Sequence, residues 1–134
     1  KLLLAADSGK GFIVNIDDVV ASTKNGKQVM NVSGKCMVCS PVEGDYAAII
    51  GTNRKLLVFA LEEIPEMKRG QGVALQKYRD AKLGDAKTFD SNIGLSWQLG
   101  NKIRTEQDIM QWRAKRGNVG KIPPTGFPKH NKFS

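Results

Sequence analysis

The sequence predicts an all-β chain of about three small stacked sheets, a partial propeller, and three observations predict it. The first is a period. Residues 7–19 overlay residues 52–64 at an offset of 45, each stretch reading as turn, strand, acidic pair and apolar residue, and a looser third copy begins at Leu99 with the offset drifting to 47. The second is a basic, glycine-containing loop that recurs in the same order: Lys24-Asn25-Gly26-Lys27, then Lys68-Arg69-Gly70-Gln71-Gly72, then Lys115-Arg116-Gly117-Asn118-Val119-Gly120. The third is a series of short apolar runs divided by turn residues at roughly 8 to 12 residue spacing, the pattern of sandwiches, barrels and propellers. The period selects one small sheet per unit, with units over residues 1–44, 45–90 and 91–120 and an extended, proline-rich basic tail over 121–134.

Taken in order, residues 2–6 and 11–16 form a hairpin around Asp7-Ser8-Gly9, and strands follow at 29–32 and 36–42. A second hairpin joins residues 46–50 to 55–59 through Gly51-Thr52-Asn53-Arg54. Further strands are expected at 73–78 and 93–99. One stretch departs from the pattern. Thr105-Glu106-Gln107-Asp108 has the form of a capping box, Ile109 and Trp112 lie three apart, and Gly117 can close the end, so a short helix is predicted over 106–116. In the tail, Pro123, Pro124 and Pro128 remove donors and fix φ, which predicts irregular chain lying on the surface, anchored by Phe127 and Phe133.

A chain of 134 residues with 40% hydrophobic and 25% charged residues can bury a core. It has no apolar run of about 18 residues, so no membrane partner is expected. It opens at Lys1 directly in an apolar run, and is expected to be a piece of a longer polypeptide. Twenty-one Lys and Arg against 13 Asp and Glu give a net charge of +8, and residues 101–134 hold eight of the basic and two of the acidic side chains. That field suits a polyanionic partner such as DNA, the alternative being a protein-interaction module whose basic edge docks an acidic partner or subunit domain.

Little in the sequence supports chemistry. Cys36-Met37-Val38-Cys39 lacks the further ligands a zinc site needs, and the pair reads as buried, inert thiols of a strand in a reducing cytosol. His130 stands among Pro, Lys and Asn with no nucleophile motif to serve. Asp17-Asp18 and Glu62-Glu63 recur at one place in each unit, as structural features do. Ser8-Gly9-Lys10-Gly11 lacks the full phosphate-loop pattern, and the aromatic residues sit mostly in apolar runs; Tyr78, flanked by Lys77 and Arg79, is the one kept as a contact. No catalytic residue, metal ligand or cofactor is expected in this chain.

The basic loops are the candidate site. Glycines beside lysines and arginines let backbone approach a phosphate, and loops on equivalent corners of stacked units would form a track for the exterior of duplex DNA. The candidate DNA contacts are Lys24, Lys27, Arg54, Lys55, Lys68, Arg69, Lys77, Arg79, Lys102, Arg104, Arg113, Lys115 and Arg116.

Residues 51–59, 63–73 and 75–78, supported by 85–89, 94–97, 126–129 and 131–133, resemble the C-terminal domains of type IIA topoisomerase A subunits, on the topoisomerase IV side of that family. The resemblance implies a β-pinwheel whose basic rim engages and bends duplex DNA to guide ATP-dependent decatenation and relaxation. It implies partnership with the B subunit of topoisomerase IV in an A2B2 enzyme, with ATP and Mg2+ bound by other domains, and a bacterial cytoplasmic location. Met67-Lys68-Arg69-Gly70-Gln71-Gly72 matches the gyrase box Q-R-R-G-G-K-G only in part, which argues against tight wrapping. Neither Tyr46 nor Tyr78 has the Ala-Arg-Tyr context of the family's cleaving tyrosine. Three units are fewer than a closed propeller of the family carries, so exposed apolar edges and self-association are expected.

Overall fold

The computed structural model describes residues 1–18, 36–67, 72–78, 81–124 and 127–133. Its strands are β1 (Leu2–Ala6), β2 (Lys10–Val14), β3 (Cys36–Pro41), β4 (Tyr46–Gly51), β5 (Leu56–Ala60), β6 (Val73–Ala74), β7 (Leu83–Phe89), β8 (Leu95–Leu99) and β9 (Lys102–Glu106). They form three antiparallel sheets of order β3-β1-β2-β6, β5-β4-β7 and β8-β9. Each sheet contains one hairpin, β1–β2, β4–β5 or β8–β9. The all-β expectation holds, and the first two hairpins lie within a residue or two of where the sequence sets them.

Stacking explains why the strands read as unbroken apolar runs. Leu3, Ala5 and Ile13 of the first sheet share a core with Ala47, Ile49, Leu57 and Phe59 of the second. The intervening residues Ala48, Ile50, Leu56 and Val58 turn the other way, to Leu95, Trp97, Trp112, Phe127 and Phe133. A strand covered on both faces has no polar alternation to show. The outward face of the third sheet carries Ser96, Gln98 and Thr105 around Ile103, which is 75% exposed. The opposite face of the first sheet, Leu4, Ala6, Phe12 and Val14, is buried.

The sheets are stitched together by exchange. The outer edge of β2 takes chain from the second unit, with Gly11 paired to Val73 and Ile13 to Glu66. In the same way β5 takes chain from the third unit and the start of the tail, with Val58 paired to Arg113 and Leu56 to Lys121. Two glycines make room: Gly72 (φ 78°) lies against the backbone of Gly11, and Gly120 (φ 92°) against that of Leu56.

Four expectations are corrected. Residues 106–116 are not a helix: Val58 donates to the Trp112 carbonyl and receives from Ala114 N–H, so edge pairing and burial of Trp112 outweigh the capping signal. The strand expected over 73–78 stops at Ala74, because the Gln76 amide turns inward to donate to the Lys55 and Val119 carbonyls. Tyr78 is not a stacking platform; its ring is wedged between Gly9 and Gly51, and burial raises its hydroxyl pKa. Cys39 is exposed rather than buried, on edge strand β3. The strand expected at 29–32 lies outside the described residues. Strand β7 was not expected, since Asp85 and Lys87 break its apolar pattern. The tail is irregular, and Phe127 and Phe133 anchor it in the second core.

Candidate nucleic-acid interface

Pairing registers sort the charges by height. Asp7 O receives the Leu83 N–H and Thr52 Oγ1 receives the Lys82 N–H, so the hairpin turns of the first two sheets and the start of β7 share one end of the stack. At that end lie Lys10, Lys55, Lys77, Lys82, Lys102 and Lys121. A cavity of about 600 Å3 at the other end joins the termini of the first two sheets, and its charged lining is Asp45, Glu62 and Glu66 together with Lys1 and Arg113. Glu43 follows β3 there, Asp90 follows β7, and Asp108 lies beside Tyr46. Lysines therefore predominate at the turn end, which Asp7 shares, and carboxylates at the other, which Lys1 and Arg113 share.

Lys10, Lys55 and Lys102 hold one structural position, the entry to the second strand of each hairpin. Around Lys55 a patch assembles through backbone bonds. Gln76 Nε2 donates to Lys55 O at 2.8 Å, Lys77 N–H to Asn118 O at 3.0 Å, and Lys121 N–H to Leu56 O at 2.9 Å. These contacts draw Lys55, Lys77, Lys121 and the loop bearing Lys115 together. Among the described residues no carboxylate forms an ion pair with Lys55, Lys77 or Lys121, and the Glu63 carboxylate reaches the neighbouring loop at the Arg116 N–H.

The remaining candidates divide. Lys102 and Arg104 are exposed on β9. Arg116 is tied down, its Nη1 donating to Ala74 O and its N–H to Glu63 Oε1. Arg54 is taken up by the tail: its guanidinium donates to the Phe127 and Pro128 carbonyls, each at 2.8 Å, and to Asn131 Oδ1. Arg113 lies at the acidic end, 5.1 Å over the Tyr46 ring. Lys24, Lys27, Lys68, Arg69 and Arg79 lie outside the described residues. Sequence reasoning missed Lys10, which the 45-residue offset from Lys55 marks, and Lys82 and Lys121, for which no local signal exists.

Two further groups are structural. Lys87 Nζ donates to Ser96 O, joining the second sheet to the third, and burial lowers its pKa against the pull of Glu43 and Asp85. The Asp45 carboxylate receives the Ser91 backbone N–H and hydroxyl, which lower its pKa. Among the described residues no group of three His, Cys, Asp or Glu side chains is arranged to hold a metal ion.

Stacked hairpin sheets that trade edge strands, with lysines gathered at one end, define a propeller-type repeat domain. The chain belongs to the DNA gyrase C-terminal domain family, a β-propeller, whose pattern matches residues 1–35 and 45–81. The A subunit of DNA topoisomerase 4 from Rickettsia bellii (strain RML369-C) is 56% identical over 99% of this chain, and that from Caulobacter vibrioides (strain ATCC 19089) is 38% identical over 99%. The chain spans 18% of the length of each. Among solved structures, the E. coli ParC C-terminal domain superposes with a TM-score of 0.77 at 20% identity, covering 96% of this chain and 57% of that one. The DNA gyrase A C-terminal domain gives 0.67 at 17% identity, covering 98% and 45%. These two likenesses establish fold.

Proposed function

We propose that this chain is a non-catalytic module that engages duplex DNA through phosphate contacts along its hairpin-turn end, bending the duplex across successive sheets. Within the A chain of a topoisomerase IV, joined to its B chain and working on the bacterial chromosome, it guides which DNA segment enters ATP-dependent decatenation and relaxation. The observation that carries this reading is the lysine patch, Lys55, Lys77 and Lys121, which no described carboxylate pairs, with Lys10 and Lys102 at repeat-equivalent positions beside it. Phosphate contacts release counterions and read no bases, so affinity falls with salt and varies little with sequence. A salt-titrated binding isotherm tests it: neutralising about six phosphates gives a slope of log K against log salt near −5. A slope near zero, or strong preference for one sequence, overturns it.

A further inference from the structure

Two turns of like build are locked together at the hairpin-turn end. The turn Gly51–Arg54 closes with Arg54 N–H donating to Gly51 O at 3.0 Å, and the tail turn Pro128–Asn131 closes with Asn131 N–H donating to Pro128 O at 3.2 Å. The last residue of each is left-handed, Arg54 at φ 64° and Asn131 at φ 57°, and among the described residues these are the two non-glycine positions with positive φ. They are bonded to each other. Arg54 Nη1 donates to Asn131 Oδ1 at 3.1 Å and to Pro128 O at 2.8 Å, while Nη2 donates to Phe127 O. Gly84 admits the tail turn, since a Cβ there would lie 3.1 Å from both Asn131 O and Ile50 O. Such backbone persists where its surroundings over-determine it, and here Phe127 and Phe133, both buried, fix the two ends of the segment.

What the clamp displays is charge. Lys129 takes a central position of the tail turn, and Lys132 stands between the two held residues Asn131 and Phe133; both lysines are exposed. The same hairpin turn also holds the exposed Lys82, whose N–H donates to Thr52 Oγ1 at 3.1 Å and whose carbonyl accepts from Thr52 N–H at 2.8 Å. Two acidic residues belong to this network. Asp7 receives the Leu83 N–H on its carbonyl, and the Asp85 carboxylate receives the N–H groups of Ala86 and Phe133. No described carboxylate forms an ion pair with Lys82, Lys129 or Lys132.

We propose that the clamped tail turn is a further phosphate-binding site for duplex DNA, with Lys129 and Lys132 contacting the backbone beside Lys82, and with Arg54 as the residue that positions them. The inference rests on the DNA-engaging function proposed above and extends it to a segment outside the recurring basic loops. A lysine on a loose tail must be ordered when the duplex arrives, and that ordering weakens binding; a lysine on a turn already clamped makes the same contact at lower cost. The clamp therefore sets how tightly the duplex is held, whereas the lysines set how many phosphates are neutralised. Arg54 and the two lysines thus have different signatures in a salt titration.

The test is a set of salt-titrated isotherms of the full chain with a short mixed-sequence duplex. Lys129→Gln combined with Lys132→Gln changes two exposed side chains and is expected to make the slope of log K against log salt shallower by about 1.8, at about 0.9 for each contact. Arg54→Ala is expected to weaken binding by about tenfold with the slope unchanged, the cost of ordering two long side chains. In the background lacking both lysines, Arg54→Ala should have no further effect on affinity, a coupling that a purely structural arginine would not show. Bound duplex should also slow amide exchange over residues 129–132. If Arg54→Ala unfolds the chain, the lysine pair and the exchange pattern still decide. The proposal is overturned if the lysine pair keeps the wild-type slope, if Arg54→Ala weakens binding equally with and without the lysines, or if the duplex protects other segments and not this one. In each of those cases a steep wild-type slope leaves the DNA-engaging function standing; a wild-type slope near zero removes both.

Discussion

At the scale of single residues, Arg54 is a candidate phosphate contact whose guanidinium the protein itself holds. It sits at a turn with φ 64°, in the left-handed region that non-glycine residues seldom adopt, and its guanidinium is committed to three tail acceptors. Nothing local distinguishes it from Lys55; the difference is a tail more than seventy residues away. Arg54→Ala is expected to lower stability by about 2 to 3 kcal/mol, because carbonyls in a partly buried site lose a charged donor. Hydrogen exchange across 127–133 should accelerate while the salt slope of DNA binding stays unchanged; a flattened slope would return Arg54 to the phosphate track. Asp45 gives a pH prediction. Bonds from Ser91, the backbone one first, hold its carboxyl below the ordinary value of 3.8. A depressed folded pKa contributes stability that is present above 3.8 and lost as pH falls through the lower folded value. In an NMR titration, Ser91→Ala should move the Asp45 midpoint up toward 3.8 without reaching it, since the backbone N–H remains.

At the scale of elements, the exchanged segments decide both stability and legibility. Gly120 and Gly100 both have positive φ, yet a Cβ at Gly120 would lie 2.6 Å from Leu56 O, whereas one at Gly100 meets nothing within 4 Å. Gly100→Ala therefore incurs only the left-handed backbone cost of about 1 to 2 kcal/mol. Gly120→Ala adds a clash that forces Lys121 off β5, and its chemical-denaturation midpoint should fall well below that of the Gly100 variant; equal midpoints would mean that exchange contributes little. The hairpins were legible because each begins at a turn and runs apolar on both faces, signals carried within ten or so residues. The stitches were not, since pairing of Gly11 with Val73, or of Leu56 with Lys121, is specified by how two sheets stack. Two misreadings have the same origin. Residues 106–116 hold a capping signal that long-range pairing of Arg113 overrides, and β7 hides behind Asp85, which accepts from Phe133 N–H, and Lys87, which reaches Ser96 O. About half of the candidate site was legible for a related reason: Lys55, Lys77 and Lys115 stand in recurring turns and loops, but their convergence with Lys121 depends on a buried glutamine, Gln76, linking two units.

At the scale of the whole molecule, the governing feature is an imbalance of charge along the strand direction, with Lys10, Lys55, Lys77, Lys82, Lys102 and Lys121 against Asp7 at one end, and Glu43, Asp45, Glu62, Glu66, Asp90 and Asp108 against Lys1 and Arg113 at the other. Net charge alone predicts a weak, isotropic attraction for DNA; the imbalance predicts an oriented one, because the acidic end repels the same polyanion that the turn end attracts. The two ends can be separated by substitution. Changing Lys55, Lys77 and Lys121 together to Gln removes three phosphate contacts and should make the salt slope shallower by about 2.7, at about 0.9 for each contact. Arg113→Gln removes a cation from the acidic end, where Arg113 stacks on Tyr46, and should leave the slope unchanged. Neutralising Glu43 and Glu62 should raise affinity at low salt, and the gain should fade near physiological ionic strength, where the screening length is about 8 Å. If Arg113→Gln flattened the slope as much as a turn-end lysine does, or if neutralising Glu43 and Glu62 left low-salt affinity unaltered, DNA would be contacting both ends, and the imbalance of charge would not orient it.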